Sequence, residues 1–161
     1  MKIKNLDSQD AHFDTVVRWV FDEWSPITPY ETLTSTHGEL SQRSGAEIVP
    51  HALVAETADG NPLGTVSLVE CDYAPRNNLS PWLADLYVAP EQRNRGVGSA
   101  LVKQLELWAL HNGIETLYLI TRYREDFYRR LGWTLFEQLR YHGVKSALMR
   151  RELRDGLLKS K

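Results

Sequence analysis

Leu86-Tyr87-Val88-Ala89-Pro90-Glu91-Gln92-Arg93-Asn94-Arg95-Gly96-Val97-Gly98-Ser99-Ala100-Leu101 is the stretch whose reading decides the fold. It closes a run, Trp82 to Val88, that reads as a central strand. Trp82, Ala84, Leu86 and Val88 alternate onto one face, and Leu83, Asp85 and Tyr87 onto the other. Pro90 stops the strand. Gly96 to His111 reads as a helix with Val97, Leu101, Leu105 and Trp108 on one stripe, ended by Asn112-Gly113. The loop between strand and helix carries Arg93, Arg95, Gly96 and Gly98. N–H groups at a helix start, with the dipole behind them, attract a phosphate. Glycines let the backbone approach it, and arginines add charge-assisted hydrogen bonds. The stretch therefore reads as a phosphate or pyrophosphate cradle. A Walker loop would need Gly-x-x-x-x-Gly-Lys-Ser/Thr, which is absent. A dinucleotide fingerprint would need a third glycine near the first strand of a βαβ repeat; here Ala100-Leu101 follows Gly98-Ser99, past mid-chain.

Outward from the cradle, the remaining segments complete a mixed α/β pattern. Residues 1–7 read as a first strand. Residues 10–24 read as a helix, because Phe13, Val16, Val17, Val20, Phe21 and Trp24 recur at three- and four-residue spacing. Thr28 with Pro29 at the first helical position predicts a second helix running toward Gly45. Residues 51–56 and 63–69 form a hairpin across Asp59-Gly60-Asn61-Pro62. After residue 113 come a strand at 116–121, a short helix at 125–131 ending on Gly132, and strands at 133–138 and 144–149. A helix crossing between the strands at 82–88 and 116–121 implies a parallel pair. The order predicts one domain over residues 1–161, an α+β mixed sheet with helices on both faces.

Composition bounds the partners. The chain has 161 residues, 42% hydrophobic and 25% charged, which suits a folded domain with a full core. Its net charge of -2 from 19 basic and 21 acidic side chains gives no reason to expect nucleic acid. The start lacks the apolar run of a signal peptide, and no window reaches membrane-spanning length, so no membrane partner and a cytoplasmic location are expected. The single cysteine, Cys71, excludes an internal disulfide and reads as a half-buried strand residue rather than a nucleophile. The histidines show no metal-ligand spacing, so no metal is expected.

The cradle stretch resembles the coenzyme A signature of the GNAT N-acetyltransferase superfamily, Arg/Gln-x-x-Gly-x-Gly/Ala. Phe127-Tyr128-Arg129-Arg130-Leu131-Gly132-Trp133 is similar to the family's second signature, a tyrosine followed by a glycine and an aromatic. The match is tight over residues 82–137, looser over the 51–69 hairpin, and only a pattern before that. The resemblance implies a central, mostly antiparallel mixed sheet splayed between its fourth and fifth strands. It implies acetyl-CoA as cosubstrate, with Leu86, Tyr87 and Val88 pairing their backbone with the pantetheine arm as an added strand. Amides from Arg95 through Gly96, Val97, Gly98 and Ser99 would hold the pyrophosphate, Arg93 and Arg95 would flank it, and Arg130 would reach the adenosine phosphate.

The same resemblance implies direct attack of an amine on the thioester in a ternary complex. Tyr128 stands where the family places its general acid. A phenol, with a pKa of about 10, keeps its proton at neutral pH and can give it to a departing thiolate. The Val88 N–H would stabilise the oxyanion. Relatives carry a glutamate at positions matching Trp82 or Ala84, both apolar here. Asp85 is the only carboxylate of that strand and is the candidate base, weighed against a structural role; Glu23, Glu70, Asp72 and His142 are further candidates. Trp82, Tyr30 and Tyr141 are the expected acceptor walls, whereas Trp24 reads as core. The expected acceptor is a primary amine of a small molecule or peptide, and an edge strand of such a domain supports a homodimer. The alternative is a catalytically silent acyl-CoA-binding sensor or interaction module.

Overall fold

The computed structural model describes residues 1–154. In chain order the elements are β1 (Lys2–Asn5), α1 (Phe13–Trp24), α2 (Leu33–Gln42), β2 (His51–Glu56), β3 (Pro62–Val69), β4 (Trp82–Val88), α3 (Val97–His111), β5 (Thr116–Thr121), α4 (Glu125–Arg130), β6 (Thr134–Tyr141) and β7 (Val144–Glu152). Short 3-10 turns occupy Ala74–Arg76 and Pro90–Gln92. The strands are ordered β1-β2-β3-β4-β5-β7-β6. The pairs β1–β2, β2–β3, β5–β7 and β6–β7 are antiparallel. β4 and β5 are parallel, in register at Trp82↔Tyr118, as the crossover through α3 requires. The mixed, mostly antiparallel sheet expected from the sequence is therefore present. The chain falls into two compact units, one of Met1–Leu68 with Asp85–Leu105, the other of Val69–Ala84 with Glu106 onward.

In the first unit, α1 buries Phe13, Val16, Val17 and Val20 against Leu6, Leu40, Ala52 and Val54, and Trp24 packs on this cluster as the core reading expected. The helix begins at Phe13 rather than at residue 10. Asp7 closes a turn just before it, accepting from the Gln9 N–H at its carboxylate (2.9 Å) and from the Asp10 N–H at its carbonyl (3.0 Å). The second helix corrects the expected start. Thr28 donates its hydroxyl to the Trp24 carbonyl (2.9 Å) and extends the end of α1 instead of capping α2. The cap is Thr32, which accepts from the Ser35 N–H (3.0 Å) while the Ser35 hydroxyl accepts from the Thr32 N–H (2.9 Å).

β4 corrects the expected alternation. Trp82, Leu83 and Ala84 are all buried, and Asp85 takes a φ of 54°. An extended strand alternates faces only while φ stays negative, so the parity read from Trp82 does not carry through to Val88. Beyond Asp85 the strand end lies on β3: the Ala89 N–H donates to the Leu63 carbonyl at 3.0 Å. The approach is close enough that a Cβ on Gly64 would stand 2.6 Å from the Tyr87 carbonyl oxygen and 3.3 Å from the Val88 Cα.

In the second unit, Val69, Trp82, Ala84 and Leu148 form the buried cluster, with Tyr73, Leu79, Tyr118, Ile120 and Leu139 against it. β6 runs on to Tyr141 because its turn into β7 needs only two residues, and β7 runs on to Glu152, where it pairs with Thr116 of β5. His142 (φ 49°) and Gly143 (φ 77°) both adopt the left-handed region, and Tyr141 pairs directly with Val144. Cys71 is exposed just past the end of β3, not half-buried within a strand. Among the described residues no helix is long and apolar enough to cross a membrane.

Gly64→Ala drives a methyl into backbone that cannot yield, and should destabilise the protein by about 1–3 kcal/mol. Thermal unfolding checks this, and an unchanged melting temperature would mean that β3 and the end of β4 are not in tight contact.

Candidate active site

The loop that leads into α3 has the geometry of a cradle. Asn94 (φ 62°) and Gly96 (φ 81°) are left-handed, which turns the chain sharply between the 3-10 turn at Pro90–Gln92 and the helix. Gly96 is exposed, and nothing lies within 4 Å of where its Cβ would project. The Ala100 N–H is bonded to the Gly96 carbonyl at 3.0 Å. The N–H groups of Val97, Gly98 and Ser99 precede that bond, in the first turn, where a helix has donors to spare. Val97 itself is buried and anchors the turn, while Arg95 is exposed beside it. The Arg93 side chain turns back to the strand end: its Nε donates to the Val88 carbonyl at 2.9 Å and its guanidinium lies 5.5 Å from the Tyr87 ring centroid.

Leu86, Tyr87 and Val88 are all half-exposed, and Tyr87 is braced from behind by Trp19, ring to ring at 5.4 Å. Asp85 leads into them, and its carboxylate is engaged. Arg43 Nη1 donates to Asp85 Oδ2 at 2.6 Å and to Ser67 Oγ at 3.1 Å. Arg43 also caps α2 with its own N–H and accepts from the Ala52 N–H at 3.0 Å. This one residue ties α2, β2, β3 and β4 together. No signal in the sequence pairs residues 42 positions apart, so nothing there marks Arg43. Nearby, Glu31 is half-buried and accepts from the Thr28 hydroxyl at 3.3 Å. Burial holds its carboxyl above the usual range, the charge of Glu39 adds to that, and the Thr28 hydrogen bond opposes it. Tyr30, beside it, is 74% exposed in the turn between α1 and α2. Glu23 is exposed on α1.

In the second unit, Tyr128 sits on α4 with 6% of its surface exposed, ringed by Phe127 (5.0 Å) and Trp133 (5.9 Å). Burial pushes its phenol well above the ordinary tyrosine range; the charge of Arg124 opposes the rise and that of Asp72 reinforces it. Asp72 is thus the one further base candidate whose charge is felt at Tyr128, while Glu70 is exposed at the end of β3. Arg130 is exposed on α4. Trp82 corrects the expected acceptor wall: it is 0% exposed, donates Nε1–H to the Leu79 carbonyl at 2.7 Å and packs on Tyr118, so its ring presents no surface to a ligand. Tyr141 is half-exposed, with Tyr73 at 5.6 Å and His142 at 4.4 Å, ring to ring. Arg122, immediately after β5, donates Nη2–H to the Tyr141 carbonyl at 3.1 Å and lies 5.8 Å from that ring's centroid. Nothing in the sequence singles it out, because one arginine at a strand end carries no pattern. Among the described residues no group of His, Cys, Asp and Glu is placed to hold a metal ion.

Residues 50–135 match the family model for the acetyltransferase (GNAT) domain, and the chain belongs to that family. It is 34% identical over 92 residues to thialysine N-epsilon-acetyltransferase of Bos taurus; the match covers 51% of this chain and spans only about half, 54%, of that relative. In fold it is similar to an aminoglycoside 6'-N-acetyltransferase solved with coenzyme A (TM-score 0.75, 18% identity, covering 95% of this chain and 97% of that one). It is also similar to a ribosomal-protein-alanine N-acetyltransferase from Brucella melitensis (TM-score 0.74, 18% identity, covering 94% and 99%).

Arg43→Ala removes the partner of a largely enclosed carboxylate, and should cost about 1–3 kcal/mol of stability. Arg43→Lys should cost less, since it keeps the charge and loses only the fork of donors. Equal melting temperatures for both variants and the parent protein would show that the ion pair holds nothing in place.

Proposed function

We propose that this chain transfers the acetyl group of acetyl-CoA to a primary amine of a small molecule or peptide, by direct attack within a ternary complex. The observation that carries this reading is the open left-handed cradle at the head of α3, preceded by a strand end of half-exposed backbone. No protein atom lies within 4 Å of where a Cβ on Gly96 would stand, so the backbone there is open to a ligand. Spare amide donors and an exposed arginine suit a pyrophosphate. The residues therefore fit the coenzyme: amides of Arg95 to Ser99 would hold its pyrophosphate, and the backbone of Leu86 to Val88 its pantetheine arm. The family membership and the bovine relative, which acts on an amine by its name, support the same reading.

Acetyl-CoA supplies an activated acetyl thioester; the chain supplies position and protons. The Val88 N–H is the donor proposed for the developing oxyanion. Tyr128 holds a proton on Oη at any physiological pH, for the leaving sulfur. Its raised pKa means that a buried tyrosinate is costly, so donation must be coupled to uptake of the proton that the amine gives up. Burial is the main source of that cost; the charge of Arg124 eases it and that of Asp72 adds to it. Asp85, engaged with Arg43, positions the strand end rather than acting as a free base.

Thiol release from acetyl-CoA across a panel of primary amines tests the reading. Turnover is expected; coenzyme binding with no turnover would leave only the silent binding module. Gly96→Val should weaken coenzyme binding by about tenfold or more, through left-handed strain and a branched side chain in the approach path. Tyr128→Phe should lower kcat by about 100-fold with little change in coenzyme affinity, and a parent-like kcat would place the acid elsewhere. Asp85→Asn keeps a hydrogen-bond acceptor for Arg43 and tolerates the left-handed backbone. It should retain most of kcat, whereas a loss of about 100-fold or more would make Asp85 the base.

A further inference from the structure

Three arginines have a side-chain Nε that is enclosed and without a hydrogen-bond partner: Arg76, Arg122 and Arg151. Two of them are neutralised by carboxylates, Arg76 by Glu137 at 2.7 Å and Arg151 by Glu106 at 3.6 Å. Arg122 is the exception. Among the described residues its polar partners are a neutral carbonyl and an aromatic face, both of Tyr141. A guanidinium carries five N–H donors and a permanent charge; Arg122 is half-buried with its Nε enclosed, and holding part of that charge away from water is unfavourable unless an anion answers it. Among the described residues no ion pair offsets this cost.

The surroundings say what would answer it. Tyr141 closes the β6–β7 hairpin and holds Arg122 from one side with its carbonyl and ring. Two residues further along, Arg124 acts electrostatically on Tyr128, as does Asp72. Asp72 precedes Tyr73, whose ring lies 5.6 Å from that of Tyr141, so a singly charged anion would meet less repulsion from its carboxylate than a phosphate bearing about -1.5 to -2. The fork geometry of a guanidinium matches the two oxygens of a carboxylate. We infer that Arg122 receives a carboxylate of the acceptor, so that the amine acetylated by this chain belongs to a molecule that also carries a carboxylate, an amino acid or a peptide end rather than a polyamine. This rests on the acetyl-transfer reading above and names the substrate class within it.

The test uses the full chain, acetyl-CoA and a series of ω-amino acids of increasing length, each compared with its own methyl ester, which removes the anion and keeps the amine. The ratio of kcat/KM for acid over ester is the readout. It should reach about tenfold or more at the best length, the worth of leaving an enclosed charge unanswered. It should fall toward unity in Arg122→Met and lie between in Arg122→Lys, which keeps charge without the fork. Arg122→Gln, retaining a donor for the Tyr141 carbonyl, takes the place of Arg122→Met where that variant does not fold. A ratio near one at every length in the parent protein, or a preference that survives loss of the guanidinium, overturns the inference. Absence of turnover with every amine would instead overturn the acetyl-transfer reading. Calorimetric titration of the same acids and esters then still decides the role of Arg122, and equal affinity for both would refute it.

Discussion

The guanidinium of Arg43 meets the carboxylate of Asp85 at 2.6 Å, and Asp85 is the residue at which β4 leaves extended geometry. A non-glycine residue in the left-handed region costs on the order of 1–2 kcal/mol, less for aspartate, and persists only where the surroundings hold it. Here they do: the partner arginine caps a helix, accepts from a neighbouring strand and bonds Ser67 as well. Past Asp85 the chain forms the strand end, then the left-handed pair Asn94 and Gly96, then the first turn of α3. Each of these features presents backbone rather than side chain. A small change in the direction of β4 would therefore be passed on to every group proposed to hold the coenzyme.

That dependence explains which parts of the molecule are legible in the sequence. The cradle is legible because its function needs particular residue types at fixed spacing: glycines for approach, a proline to stop the strand, an apolar stripe to seat the helix. The strands at 82–88 and 116–121 are legible for the same local reason. The start of α2 is not: Thr28 followed by Pro29 reads as the cap, and only the reciprocal contact of Thr32 with Ser35 selects Thr32. The face assignment of β4 fails at one dihedral angle, the positive φ of Asp85, which an aspartate permits but does not announce. Trp82 reads as an acceptor wall because aromatics often line pockets, yet its indole N–H finds the Leu79 carbonyl three residues away and the ring is free to bury completely.

Tyr128 shows how burial divides the roles of titratable groups. Its enclosure raises the pKa of the phenol, so the proton is secure until charge develops beside it. The same enclosure makes the tyrosinate a poor resting state, and the acid role proposed for Tyr128 relies on both properties. A surface phenol would have the first property and lack the second. Glu31, in the other unit, is also held above its usual range, by burial and by the charge of Glu39, so it too favours its protonated form more than an exposed glutamate does. Both groups owe their raised proton affinity first to enclosure, which spacing in the sequence does not encode.

The coenzyme side and the acceptor side consequently differ in kind. Coenzyme A is a constant ligand, and a chain can meet it with main-chain amides whose placement follows from turns and helix starts. An acceptor differs from one enzyme to the next and must be met by side chains brought together from distant segments, of which Arg122 is the one proposed here. Side chains of that sort leave no motif, and their meaning emerges only when their partners are counted. Arg122 is informative for that reason: among the described residues its neighbours satisfy one donor and its aromatic face, and none answers its charge. Where Arg76 and Arg151 show how the protein neutralises an enclosed guanidinium when the role is structural, the different treatment of Arg122 argues that its counter-ion arrives with the substrate.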